Sequence, residues 1–367
     1  MAEVAHFKLL DGVRGLAAQP VLFSHSFALI FVGVQGPAVT AIGWFARLAV
    51  IVFFVLSGFV ICAGIAGEIG KTSKFNWFEF TIRRVARIYP PYLAAIGFVA
   101  AVAVSLGVAG RHLNVDTWAW LRALSFTFVS NDAVTITPVW SLRLEVGLYV
   151  FAAMTTLAFL ATGRLRVILC AVTLALFAAY CWRLAFGGLA AALFATGGLA
   201  AIFFDRLVKI RSVWILAGVV FAFALPMAWP SLVDDTAKSI LYQGILGIPI
   251  ALGLVALAHV KVQGQSQIGS LILASGGWSY TLYIIHIPVV IALTTLIPVG
   301  PEFYPRFAML MFCLVTTNLV AVVVALAVER PKLFARLIRL ALMREEISPI
   351  KPGRFTSYLR TRIRPEG

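Results

Sequence analysis

Asp11, Arg14 and His25 all lie within one apolar stretch, residues 9–32, near the start of the chain. Ionisable side chains are costly in hydrocarbon, so those that persist face a polar cavity and carry a function. Arg14 and His25 are eleven residues apart. On an α-helix that spacing is about 1,100°, which returns both to within roughly 20° of one face, about 16 Å apart along the axis. An imidazole is the side chain best suited to moving a proton near neutral pH. The expectation is a polar tunnel through a bilayer, with Arg14 at its inner mouth and His25 deeper along the same helical wall.

Other residues could complete such a site. Glu145 falls about seven residues into a later apolar run that begins near Pro138, roughly 10 Å from its boundary. Depth counting puts it level with His25, where a carboxylate would orient the ring and raise its basicity. A structural ion pair with Arg143, Arg47 or Arg14 is the other reading of Glu145. Asp11 and Arg14, three residues apart, form either a local pair or part of a substrate site. Arg84 and Arg87 share a helical face just before Pro90-Pro91, taken as the break that opens the third span. Two guanidiniums at that spacing suit a polyanionic phosphate group, and they also suit an ordinary basic cytoplasmic flank. His286 lies deep in a later span, as a packing residue or a substrate contact. Arg47, Trp140 and Tyr149 complete the substrate-contact candidates. No Gly-rich phosphate loop, metal-ligand spacing or GxSxG elbow is present.

The elements that hold these residues are membrane spans. The 367 residues are 61% hydrophobic and only 12% charged, about half the charged fraction of a soluble protein. Apolar runs over 9–33, 41–64, 90–109, 138–162, 165–182, 185–204, 212–230, 240–259, 278–298 and 307–328 predict an all-α, polytopic transmembrane bundle of about ten spans. With both termini cytoplasmic, the inner segments hold 22 Lys and Arg against five outside, which fixes the orientation. The net charge of +15 then reflects cytoplasmic loops, and no nucleic-acid partner is expected. Cys62, Cys170, Cys181 and Cys313 read as buried, inert thiols. No cleavable signal peptide is expected, because Asp, Arg and His interrupt the first apolar run. Residues 1–332 form the membrane domain. Residues 333–367 form a basic tail, starting with an amphipathic helix against anionic headgroups and partly disordered beyond Pro349.

Taken together, the motifs resemble the acyltransferase 3 family of integral membrane acyltransferases. Leu10-Asp11-Gly12-Val13-Arg14-Gly15-Leu16 followed by His25 is similar to its Arg-x10-His opening. Phe53-Phe54-Val55-Leu56-Ser57-Gly58-Phe59 resembles its second-helix signature, and Arg84-Val85-Ala86-Arg87 its Arg-x-x-Arg motif. Trp140-Ser141-Leu142 with Glu145 and Tyr149, Ser279-Tyr280 through His286, and Glu329-Arg330-Pro331 follow in the family order. The resemblance implies transfer of an acyl group, often acetyl, from cytoplasmic acyl-CoA to a carbohydrate hydroxyl such as that of a lipopolysaccharide or exopolysaccharide, in the bacterial cytoplasmic membrane. It implies that His25 and Arg14 are essential and that Arg84 and Arg87 serve the donor. The chain departs from the pattern where Val146-Gly147 stands in place of the further acidic residue and Gln often found in the family, and the stand-alone form without a C-terminal hydrolase-like domain is expected. A transporter or flippase of a polar lipid or sugar is the rival reading, since buried Asp, Arg, His and Glu also form proton relays. Against it, the chain carries no evident two-half repeat.

Overall fold

The computed structural model describes residues 8–105, 139–184, 186–210, 236–260 and 267–343, with isolated positions at 124 and between 213 and 220. The described residues form twelve helices and no strand. They are α1 (Lys8–Ile30), α2 (Pro37–Thr72), α3 (Trp77–Ser105), α4 (Val139–Leu160), α5 (Gly163–Arg183) and α6 (Gly187–Ile202). After the single turn α7 (Phe204–Leu207) come α8 (Thr236–His259), α9 (Gln267–Ser275), α10 (Ser279–Leu296), α11 (Phe303–Val328) and α12 (Pro331–Met343). Among the described residues, seven helical stretches are long and apolar enough to cross a membrane. α1 has the length, at 23 residues, but carries the charged set, and α6 is apolar but only 16 residues long. The expected span over 212–230 falls outside the described residues. The fold is an all-α polytopic bundle, as the composition requires.

α2 runs through the middle of it. At 36 residues it is about 54 Å long, more than a hydrocarbon core is thick, and it packs on α1, α6 and α8. Its contact with α6 is closed by glycines. A Cβ on Gly58 would fall 1.9 Å from the Phe194 carbonyl oxygen, and one on Gly197 would fall 1.9 Å from that of Val55. α5 lies at the periphery: Leu165, Val167, Ile168, Leu174 and Trp182 are exposed, as a lipid-facing helix requires.

α3 differs from the sequence reading. Pro90 and Pro91 lie inside the helix rather than opening it, and the helix starts at Trp77. Each proline removes an amide donor, from the carbonyls of Ala86 and Arg87. Packing against neighbours allows such interruptions within a bundle. Ile82 and Ala86 are buried against Ala335 of α12, and Ile88, Tyr92 and Ala95 lie in the main core. Arg84 and Arg87 therefore project from a packed helix, not from a loop.

Pro331 opens α12 just after α11 ends, and this basic amphipathic segment docks on α3. Arg339 Nε and Nη2 donate to the two Glu79 oxygens at 3.0 and 2.6 Å. Arg83 in turn reaches Glu79 at 3.7 Å and Glu68 at 3.0 Å. Leu333, Leu337 and Leu342 on the opposite side stay exposed. Half-exposed ion pairs contribute about 1 kcal/mol or less, so Glu79→Ala is expected to leave the fold intact while loosening α12. Trypsin cleavage at Arg336 and Arg339 in membranes should accelerate, and an unchanged rate would show that apolar packing alone holds the helix.

Candidate active site

Five helices meet around a narrow slot inside the bundle. α1 contributes Arg14, and α2 contributes Val50, Phe53, Phe54 and Ser57. α3 brings Arg84 and Arg87, α4 brings Ser141, Glu145 and Tyr149, and α10 brings Tyr280 and Tyr283. Its volume is about 70 Å³, room for about two waters. Three guanidiniums and one carboxylate share this space, a net positive interior. Arg14 Nη1 donates to Asp11 Oδ1 at 3.0 Å, so the local pair expected from their spacing is formed. Arg84 lies over the rings of Phe80 and Tyr149, 5.5 and 5.7 Å from their centroids. Its Nε is buried and has no hydrogen-bond partner among the described residues. A buried donor left unpaired costs about 1–3 kcal/mol, which an anion entering the slot would relieve.

Glu145 does not pair with His25. It accepts from Ser57 Oγ at 2.9 Å and from the Tyr149 hydroxyl one turn along its own helix. Ser57 Oγ also lies 3.3 Å from that hydroxyl. Depth counting compares positions along separate helices and does not say which faces meet. The hydrogen bond instead sets Glu145 against the middle of the long α2.

His25 meets His286. His25 Nδ1 lies 2.8 Å from His286 Nε2, with ring planes 16° apart and centroids 5.0 Å apart. The rings are nearly coplanar and joined edge to edge, nitrogen facing nitrogen. His286 is fully buried, and its Nδ1–H donates to the carbonyl of Tyr283 at 2.9 Å, with that of Leu282 at 3.2 Å. Tyr283 links this pair to the slot, its hydroxyl 2.7 Å from Ser141 Oγ. His25 itself is not among the residues that line the slot. The expectation was one continuous wall from Arg14 to His25; α1 does run unbroken past Pro20, but only Arg14 of the two borders the slot.

Arg47 and Trp140 line a second cavity of about 370 Å³, between α2, α6 and α8, with Phe186, Ser239 and Gln243. Val50 and Phe54 border both cavities. The Trp140 and Phe186 rings are 6.0 Å apart, and Gln243 Nε2 donates to Ser239 Oγ at 2.9 Å. Among the site residues, Ser239 and Gln243 were passed over by sequence reasoning, while Ser57, Ser141, Tyr280 and Tyr283 lay within the family-like motifs without an assigned role. Gln243 carried a usable signal as a lone amide within an apolar run, whereas serines and tyrosines are too common in spans to stand out. Glu329 also has an unforeseen place: its Oε1 accepts from the Thr281 amide at 2.8 Å, capping the first turn of α10 with negative charge. Among the described residues, no cluster of His, Cys, Asp or Glu could hold a metal ion.

These features define a multi-pass membrane protein with a cationic cavity built into its helical bundle. The sequence profile of the acyltransferase 3 family, described as an acyltransferase domain, matches residues 7–328, and the chain belongs to that family. It is a membrane acyltransferase. It is also similar to "Protein 2 in picA locus" of Rhizobium radiobacter, 32% identical over a 157-residue alignment that covers 38% of this chain and 77% of the relative. No solved structure matches it.

Proposed function

We propose that the protein is an O-acyltransferase of the bacterial cytoplasmic membrane. It moves an acyl group, acetyl in the favoured reading, from cytoplasmic acyl-CoA to a hydroxyl of a cell-surface or lipid-linked carbohydrate. The observation that carries this reading is the convergence of Arg14, Arg84 and Arg87 in one intramembrane slot, with Arg84 Nε unpaired. Guanidiniums placed this way suit the phosphates of the donor, whose pantetheine arm would lie along the slot. At about 70 Å³ the slot holds only part of that arm as it stands, so it must widen on binding.

The reaction balances as follows. His25 takes the proton of the acceptor hydroxyl, and the oxygen attacks the thioester carbon. The oxyanion forms where few waters compete, while Arg14, about 16 Å away along α1, holds the donor in the slot. The C–S bond breaks, and the thiolate of CoA recovers the proton from the imidazolium. Glu145 holds Ser57 and Tyr149 in place along the slot. For the acceptor, the second cavity offers the Trp140 ring to a sugar face and Arg47, Ser239 and Gln243 to its hydroxyls. The excess of basic residues on one side supports cytoplasmic termini, which puts Arg84 and Arg87 toward the donor's compartment.

The direct test uses purified protein in liposomes with acyl-labelled CoA inside and a glycan extract outside. Label bound covalently to glycan is the expected result; label that stays on CoA or appears only as free acid removes the reading. Arg84→Ala should raise KM for acyl-CoA about 10–100-fold with little change in kcat, the loss of one charge-assisted contact. An unchanged KM would take Arg84 out of the donor site.

A further inference from the structure

We infer that His286 is a positioning residue that fixes the tautomer of His25, so that His25 Nε2 is the atom that accepts the proton. The inference rests on the proposed role of His25 as general base, but its geometric half stands alone. A neutral imidazole has one nitrogen that donates and one that accepts. His286 Nδ1 faces the carbonyl oxygens of Tyr283 and Leu282, so it must carry the proton, because a bare nitrogen there would set lone pair against lone pair. His286 Nε2 is therefore the acceptor. The contact at 2.8 Å then requires the proton of His25 to sit on Nδ1, which leaves Nε2 bare.

This arrangement performs the task usually given to a carboxylate. It holds the ring in one rotation and one tautomer, and the same hydrogen bond persists when His25 becomes an imidazolium. A neutral partner does so without adding a second buried charge, whose desolvation in hydrocarbon would be costly. It also accounts for Glu145 being engaged elsewhere, with Ser57 and Tyr149.

The test is nitrogen NMR of the full chain in lipid nanodiscs with 15N-labelled histidine, His25 being assigned from the signal lost in His25→Ala. Expected is a His25 ring protonated at Nδ1 and bare at Nε2, becoming mixed in His286→Phe. A ring protonated at Nε2 in the unaltered protein, or a tautomer indifferent to His286→Phe, overturns the inference. In turnover assays His286→Phe should lower kcat on the order of 10²-fold with KM for acyl-CoA unchanged. His286→Gln, whose amide oxygen can accept from His25 Nδ1–H, should recover much of that loss. If Phe and Gln behave alike, the hydrogen bond is not what matters. Failure of the wider reading looks different: His25→Ala would then retain turnover whatever the tautomer.

Discussion

His25→Ala is expected to reduce acyl transfer at least about 10³-fold, at the upper end of what a positioned general base contributes, while the protein still folds and inserts. The two halves of that expectation have separate causes. The acceptor hydroxyl is a poor nucleophile until its proton leaves, and no other described group with a free basic nitrogen lies beside His286 and Tyr283. The structural cost is limited because His25 is only partly buried. Its removal leaves one acceptor, His286 Nε2, without its donor, a loss of about 1–3 kcal/mol, and water can replace the ring. The measurement is single-turnover transfer from labelled acyl-CoA, with thermal unfolding in detergent as the control. Near-normal transfer by the variant would remove His25 from the chemistry. A variant that transfers nothing but still binds acyl-CoA with unchanged affinity is the outcome that separates proton transfer from donor binding.

The sequence discloses side-chain types and helical spacing, and the features that depend on these were legible. Asp11, Arg14 and His25 in one apolar run announced a site within a membrane, and Asp11 and Arg14 do pair as their spacing predicts. Arg84 and Arg87 share a face and reach a common slot. What was not legible depends on how helices pack. Nothing within residues 139–160 says that Glu145 will find Ser57 rather than His25, because that choice is made by how α4 packs against α2. The His25–His286 contact joins residues 261 positions apart, and no local pattern encodes it. Pro90-Pro91 read as a helix boundary because local propensity favours one, yet burial of Ile82 and Ala86 beneath α12 keeps the helix going. The nine-residue α9 escaped notice because it is too short to read as a span, although Gly15 packs so tightly against it that a Cβ there would fall 1.8 Å from Ser275 Oγ. Close approach of that kind is written in glycines, and glycines alone do not say what approaches them.

That ambiguity is resolved most sharply where α2 meets α6, and Gly197→Leu is expected to prevent stable folding. The Cβ alone would stand 1.9 Å from the Val55 carbonyl oxygen and 3.0 Å from the Phe59 amide nitrogen. Both are backbone atoms of a helix, which cannot rotate aside as a flexible side chain can. The two helices must therefore separate by more than an ångström, and association within a bilayer depends on close packing because lipid is as apolar as leucine. Separation would also shift Val50 and Phe54, the α2 side chains that border both cavities, so whatever protein survives should be inactive as well as unstable. Overpacking of a tight contact costs about 1–3 kcal/mol where side chains can adjust, and a backbone clash should exceed that range. Gly188→Leu is the matched control: it lies on the same helix, is exposed, and a Cβ there would meet nothing within 4 Å. The comparison is made by size-exclusion profile and thermal midpoint in detergent, together with acyl transfer. The control should track the parent protein while Gly197→Leu aggregates or unfolds early. A Gly197→Leu protein with the parent's midpoint and turnover would mean that α2 and α6 do not cross at this distance, and the shared border of the two cavities would have to be redrawn.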